Sequence, residues 1–209
     1  MTRPTFDQQF WEQLWSKTLR DQPDKVVRRP PNAHLMLEVA ELPPGRALDA
    51  GCGHGAETLW LAARGWRVTA VDFSPAALAQ GRSMADAAGP ELASRIDWVE
   101  SDVATWPVEP AHYDLVVCLY VHVAGSIEEM IGRMANGVAP GGTLFLVGHR
   151  PIDPSTGAPT AAANQVQVSV DAARAALDPT TWELIVAEDR PRPVVGSGVD
   201  AVIRARRRA

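Results

Sequence analysis

LDAGCGHGAE, residues 48–57, is a hydrophobic run that ends in an acid, passes through three glycines at alternate positions and opens onto a helix-forming stretch. Glycines at Gly51, Gly53 and Gly55 let backbone N–H groups come close to a ligand. Upstream, RALDA (46–50) reads as a strand; downstream, a helix near 55–64 is ended by Gly65. Strand, glycine loop and helix in that order are the start of a βαβ alternation.

The flanking sequence continues the alternation. WRVTAVD (66–72) reads as a strand and SPAALAQGRSMADAA (74–88) as a helix, with Ser74 as N-cap and Pro75 at the first helical position. RIDWVES (95–101), YDLVVCLY (113–120), a helix near 126–137 and GGTLFLVGH (141–149) follow. Continuous apolar strands alternating with helices predict a parallel sheet covered on both faces. After residue 150 the rhythm changes to a polar, Pro/Gly-containing segment, a short helix capped near Ser169, and two strands, TWELIVAED (181–189) and VDAVIRAR (199–206). The link between those strands is too short for a crossover helix, so they should pair antiparallel. At the other end, residues 5–20 place Phe6, Phe10 and Leu14, with Trp11 and Trp15 one position along, on one helical side; a Pro-rich connection (21–33) and a helix near 34–41 follow. The reading is a doubly wound α/β fold in a single domain, with an antiparallel hairpin at one edge. Residues 5–42 form an N-terminal helical lid, 46–149 the ligand-binding core, and 150–209 a C-terminal wall with the edge hairpin.

Composition narrows the class. At 209 residues and 46% apolar the chain can bury one full core, and its net charge of −5 gives no field that would attract nucleic acid. The basic run Arg204–Arg208 reads as a solvated end. Cys52 and Cys118 lie in or beside apolar runs without C-x-x-C spacing, as in a reduced, cytoplasmic protein. No apolar stretch is long enough for a signal peptide or a membrane span, and no cluster suggests a metal.

The glycine loop fits two templates. Gly51, Gly53 and Gly55 give G-x-G-x-G, while Gly51, Gly53 and Ala56 give the dinucleotide pattern G-x-G-x-x-A. The acids separate them. Asp49 stands two residues before Gly51, and there is no Lys or Arg from 47 to 63. A pyrophosphate over this turn would be repelled by Asp49, whereas the ammonium of S-adenosylmethionine would be attracted. Asp72 closes the second strand, 21 residues after Gly51, where an acid binds ribose hydroxyls in both cofactor classes. Asp102 closes the third, and Asp102-Val103 suits an adenine: the carboxylate takes the exocyclic amine and Val103 covers a ring face.

ALDAGCGHGAETLWLAARGWRVTAVDFSPAAL, IDWVESDVATWP, YDLVVCLYVHV and MANGVAPGGTLFLVGH together resemble a class I S-adenosylmethionine-dependent methyltransferase, within the small-molecule branch of tellurite-resistance-like and thiopurine-methyltransferase-like enzymes. The resemblance covers residues 5–206. It implies a Rossmann-like seven-stranded sheet ordered 3-2-1-4-5-7-6, with S-adenosyl-L-methionine held by Asp49, Gly51, Cys52, Gly53, Asp72, Phe73, Asp102 and Val103. Leu119 would lie along the cofactor. His54 departs from the family loop and reads as a solvated residue; His34 and His112 read as surface residues.

The chemistry would lie beyond Val117, in CLYVHVAG. Tyr120 and His122 stand at the exit of the fourth strand and His149 ends the fifth, so a base for a thiol, phenol or ring nitrogen is available there. The alternative is that both histidines merely cap strand ends. Phe10, Trp11 and Trp15 have two open readings: packing against the sheet, or a lid whose rings attract a sulfonium. Arg29, in preference to Arg28, is the candidate partner for the methionine carboxylate. The expected acceptor is a small molecule, bound through a thiol or other chalcogen, nitrogen or oxygen. An NAD-linked oxidoreductase and a non-catalytic nucleoside-binding module are the competing readings. The sequence does not name the oligomeric state.

Overall fold

A computed structural model describes residues 8–122, 125–152, 156–160, 166–192 and 198–209. Phe6, the first part of the N-terminal helix as read above, and residues 123–124, 153–155, 161–165 and 193–197 lie outside the described residues.

In chain order the elements are α1 (Gln8–Asp21), α2 (Pro23–Val27), α3 (Ala33–Val39), β1 (Arg46–Ala50), α4 (Ala56–Ala63), β2 (Arg67–Asp72), α5 (Pro75–Ala88), α6 (Pro90–Ala93), β3 (Ile96–Glu100), β4 (Tyr113–Leu119), α7 (Ile127–Gly137), β5 (Val138–His149), α8 (Val170–Ala176), β6 (Trp182–Pro191) and β7 (Val199–Arg207). The seven strands form one sheet in the order β3-β2-β1-β4-β5-β7-β6. Pairing is parallel for β1–β2, β2–β3 and β4–β5, and antiparallel for β5–β7 and β6–β7. Both the order and the antiparallel edge agree with the sequence reading.

Local chemistry accounts for most boundaries. Ser74 Oγ accepts from the Ala77 N–H at 3.2 Å with Pro75 opening α5; Ser126 caps α7 through Glu129 and Ser169 caps α8 through Ala172 in the same way. Several details differ from expectation, among them the short helix α6 between α5 and β3. The segment 21–33 contains a helical turn, α2, because Pro23 starts a helix as readily as it breaks one. β5 begins at Val138, directly where α7 ends, and its pairing with β4 shifts between Tyr113 and Leu115 around Gly141. β3 ends at Glu100, which leaves Asp102 in the following turn. The basic run is no loose end: Arg204 to Arg207 belong to β7, and Arg207 Nη1 donates to the Val138 carbonyl at 2.5 Å.

The chain divides into two compact units, Met1–Pro107 and Val108–Ala209. Leu35, Leu48, Leu61, Val71 and Leu78 are fully buried in the first, and Leu115, Met130, Ile131, Met134, Phe145, Leu146 and Ile203 in the second. No helix among the described residues is long and apolar enough to cross a membrane.

One contact in the first unit explains two glycines. The Trp98 ring of β3 wedges between the glycine loop and α5, so that a Cβ built on Gly55 or on Gly81 would stand 2.5 Å from Trp98 Cη2. At Gly81 the same Cβ would also lie 3.0 Å from the His54 carbonyl oxygen. Helix propensity alone favours Gly81→Ala by about 1 kcal/mol. The overpacking here should reverse the sign and destabilise by about 1–3 kcal/mol in chemical denaturation. In a Trp98→Ala background the same substitution should become neutral or stabilising; stabilisation in the wild-type background would contradict this packing.

Candidate functional site

In the first unit the loop after β1 is held from within. The Gly51 and Cys52 N–H groups both donate to the Val71 carbonyl, at 2.8 and 3.0 Å, and the Gly55 N–H donates to the Cys52 carbonyl at 2.9 Å. The Gly53 N–H donates to Asp72 Oδ2 at 2.9 Å, and the other oxygen of Asp72 accepts from the Ser74 N–H at 2.9 Å. Ser74 Oγ in turn donates to Glu12 Oε2 of α1 at 2.5 Å. Loop, strand end and N-terminal helix are thereby one hydrogen-bonded chain. Gly53 sits at φ +54, where a Cβ would lie 2.7 Å from Trp15 Cζ2, so the indole of α1 rests against the loop backbone.

The charge around this loop is negative. Asp49 is buried and accepts from Thr58 Oγ1 at 2.6 Å; burial, with Glu57 and Asp72 adding to it, pushes its carboxyl up to about 7. Burial also raises Asp72, against the opposing hydrogen bonds from Ser74 and Gly53, and Glu12 raises it further. The Cys52 thiol is pushed well above its usual value by burial and by Asp49, and its Sγ–H points to the Gly53 carbonyl at 3.7 Å. Cys52 is therefore an inert part of the loop wall rather than a nucleophile.

Beside the loop is a cavity of about 330 Å³ lined by Trp11, Leu14, Trp15, Thr18, Val26, Arg29 and His54. Three of the residues singled out in the sequence, Trp11, Trp15 and Arg29, thus share one cavity. His54 corrects the reading of a solvated loop residue: it is only 3% exposed, with its ring 5.4 Å from that of Trp15. Burial, and then Arg29, pushes its pKa down to about 4, against a hydrogen bond to the Val26 backbone. His54 Nε2 has no hydrogen-bond partner among the described residues. The sequence hides this because its cover is tertiary, supplied by α1 and α2. His34, read as a surface residue, is likewise buried, in α3. His112 is half-buried, 3.0 Å from Glu109 Oε1.

The remaining first-unit residues lie farther along the strand ends. Phe73 follows β2 and is half-buried. Asp102 is exposed and accepts from the Ala104 N–H at 2.8 Å, while Val103 is buried.

The second unit contains a polar cluster at the ends of β4 and β5. Leu119 ends β4 half-buried. Tyr120 follows at φ +55, a left-handed conformation that costs a non-glycine residue about 1–2 kcal/mol. Its N–H donates to the Val147 carbonyl at 2.8 Å and its hydroxyl donates to Asp200 Oδ2 at 2.8 Å. The Tyr120 and His149 rings stack at 4.1 Å. His149 Nδ1 is 3.1 Å from Asp200 Oδ1, and its main-chain N–H donates to Gln167 Oε1 at 2.6 Å. Arg192 Nε donates to Asp200 Oδ1 at 2.8 Å, and its Nη2 meets His149 Nδ1. Burial would raise Asp200, but the hydrogen bonds from His149, Tyr120 and Arg192 outweigh it and hold the carboxyl below its usual value. His122 is half-buried; burial, then the neighbouring His149, pushes its pKa down to about 4. Tyr120, His122 and His149 are thus brought together. Asp200 and Arg192 were not foreseen. The one available signal was an aspartate inside the apolar run VDAVI, but its meaning depends on β7 pairing His149 opposite Asp200.

Comparison with known proteins points the same way as the geometry. Residues 47–142 match the family model described as a methyltransferase domain. Nodulation protein S of Rhizobium tropici is 34% identical over 113 residues, which are 53% of this chain and 45% of that protein. The chain thus spans less than half the length of that curated relative. Among solved structures, the N-methyltransferase NodS from Bradyrhizobium japonicum WM9 with S-adenosyl-L-homocysteine superposes with a TM-score of 0.69 at 17% identity, covering 94% of this chain and 97% of that one. The 1,6-didemethyltoxoflavin-N1-methyltransferase of Burkholderia thailandensis, with its substrate and S-adenosylhomocysteine, gives 0.64 at 21% identity, covering 100% and 94%. At these identities the structures establish a shared fold.

The buried acid of the loop has a measurable consequence. Asp49 holds a proton in the folded state up to about pH 7, while the unfolded chain releases it near 3.8. The folded state binds more protons in that window, so stability from this group is greatest below pH 3.8 and declines as pH rises toward 7. Asp49→Asn removes the decline. The variant should match wild type near pH 4 and exceed it by about 2–4 kcal/mol at pH 8 in denaturant titrations; a variant less stable at pH 8 than at pH 4, relative to wild type, would contradict the assignment.

Proposed function

We propose that this chain transfers a methyl group from S-adenosyl-L-methionine to a small-molecule acceptor, as a single methyltransferase domain whose residues 5–42 act as a lid. The observation that carries this reading is the state of the glycine loop. Its Gly51, Cys52, Gly53 and Gly55 N–H groups already donate within the chain, and buried Asp49 and Asp72 stand behind them. A pyrophosphate needs donors and positive charge at such a turn. At about 5 Å and an effective dielectric near 20, each phosphate charge facing an ionised carboxylate costs about 3 kcal/mol, a cost that Asp49 imposes in full above about pH 7. A ligand bearing an ammonium and a sulfonium instead relieves the crowding of Asp49, Glu57, Asp72 and Glu12. The same argument disfavours an NAD-linked oxidoreductase.

The residues present fit the cofactor part by part. Asp49 suits the ammonium, and Arg29 the carboxylate, at the amino-acid end. The ring faces of Trp11 and Trp15 favour a sulfonium. Asp72 already accepts two backbone N–H groups, yet each oxygen keeps a lone pair for a ribose hydroxyl. Phe73, Asp102 and Val103 serve the adenosine, and Gly51, Cys52 and Gly53 form the floor. Leu119, at the end of β4, is a further candidate for contact with the cofactor. The bound cofactor supplies an electrophilic methyl carbon, and the chain must then align the acceptor and receive its proton. Tyr120, His122 and His149 are our candidates for that task. With a pKa near 4, His122 is neutral and a weak base, better suited to accept a hydrogen bond from the acceptor than to carry its proton away.

The toxoflavin N1-methyltransferase and the N-methyltransferase NodS, which share the fold, support a small acceptor and methylation at nitrogen. The finer tellurite-resistance-like or thiopurine-methyltransferase-like assignment rests on the paired tryptophans of α1 alone. Two free buried cysteines, Cys52 and Cys118, suit a reducing cytoplasm.

The test is a mass-spectrometric screen for methylated products from a mixed pool of thiols, phenols, amines and heterocycles, with S-adenosylmethionine supplied. Wild type should yield at least one methylated product, and His122→Ala and His149→Ala should each slow its formation at least tenfold. Binding of S-adenosylmethionine without turnover across the pool would favour the nucleoside-binding module. Full rate in both variants would remove the histidines from the chemistry.

A further inference from the structure

We propose that Asp200 is a positioning residue that fixes His149 and Tyr120 as one proton-accepting unit, with His149 Nε2 the atom that receives the acceptor's proton. The acceptor is then a compound with an ionisable X–H group: a thiol, a phenol or a heterocyclic N–H. This rests on the methyltransferase reading and extends it to residues that no part of the resemblance assigns.

Asp200 is completely buried within β7 and sits directly across from His149 in the antiparallel pairing. Its Oδ2 takes the Tyr120 hydroxyl; its Oδ1 takes Arg192 Nε and lies within reach of His149 Nδ1. A buried carboxylate is costly, and an apolar pair of similar volume would often serve stability as well or better. Tyr120 adds a second cost, since it is held at φ +55 with its hydroxyl pinned to the same carboxylate. Two unfavourable features converging on one group at the ends of adjacent strands are what a preorganised site requires.

His149 Nδ1 has partners of opposite kind. Asp200 Oδ1 can only accept and Arg192 Nη2 can only donate, so the ring finds a partner at Nδ1 in either neutral tautomer. With Nδ1–H directed to Asp200, Nε2 presents a lone pair. During transfer the acceptor atom X forms the bond to the methyl carbon, and the carbon–sulfur bond breaks with its electron pair left on sulfur. The proton of X–H passes to His149 Nε2, and the resulting imidazolium keeps its Nδ1–H on Asp200. Arg192 balances the buried carboxylate beforehand, and Tyr120, stacked at 4.1 Å, fixes the ring plane. Among the described residues, the titratable and charged groups facing His149 include Asp200, Arg192, Tyr120 and His122.

The experiment compares wild type with D200N and H149Q on a thiol acceptor found in the screen, with nitrogen-detected NMR of the histidine rings as a readout independent of turnover. D200N and H149Q should lower kcat at least tenfold at pH 7, with KM for S-adenosylmethionine within about twofold. The deficit should close above about pH 9, where the thiol ionises unaided. In wild type the His149 ring should show the Nδ1–H tautomer, and in D200N it should move toward Nε2–H. Unchanged kcat in D200N overturns the role of Asp200. So does a loss that no pH restores, accompanied by an unchanged tautomer, since Asp200 is then only a pin for the hairpin. A wild type that methylates nothing would instead sink the methyltransferase reading itself, a result distinct from either.

Discussion

The carboxylate of Asp72 is the junction of the first unit, Met1–Pro107. One oxygen receives the Gly53 N–H and the other the Ser74 N–H, so the loop after β1 and the turn into α5 are tied to the end of β2. Ser74 passes the connection to Glu12, bringing α1 down until the Trp15 indole touches Gly53. The arrangement satisfies the Gly51, Cys52, Gly53 and Gly55 N–H groups internally and leaves a surplus of acid around the loop. A ligand for such a loop must bring positive charge and need few backbone donors. The fold supplies the scaffold; in our proposal it is this local electrostatics that selects the cofactor class.

Much of this was legible in the sequence. The strand–loop–helix alternation, the Ser74 and Ser169 caps, the edge hairpin and the acids at 49 and 72 follow from periodicity, capping and charge placement, all of which are local. What was not legible depends on tertiary cover. His54 looked solvated because nothing in Gly53-His54-Gly55 announces that α1 and α2 will close over it. The run Arg204–Arg208 reads both as the end of a strand over 199–206 and as a solvated basic end; β7 runs on to Arg207, one residue past the expected strand. Asp102 was placed at a strand end, but β3 stops at Glu100, where the pairing with Asp72 finishes.

Asp200 illustrates the same limit more sharply. Its meaning is set by antiparallel register, which places it opposite His149 and within reach of a tyrosine that is 80 positions earlier in the chain. A shift of one residue would turn that carboxylate to the other face of the sheet. Of the two strand-end histidines, the structure distinguishes them by surroundings: His149 has a carboxylate, a guanidinium and a stacked ring, while burial keeps His122 neutral. Similar residues at similar strand ends thus acquire different chemistry.

The claim on which the account turns is that the acidic loop is built for the ammonium of a zwitterionic amino-acid end rather than for a pyrophosphate. Calorimetric titration with S-adenosylhomocysteine and with NAD, repeated at pH 5.5 and pH 7 in buffers of different ionisation enthalpy, tests it most directly. Because Asp49 holds a proton to about pH 7, the account predicts proton release on binding S-adenosylhomocysteine, and affinity about tenfold tighter at pH 7 than at pH 5.5. NAD should show no binding at either pH. Tight NAD binding, or S-adenosylhomocysteine affinity that does not change with pH and releases no proton, would contradict it.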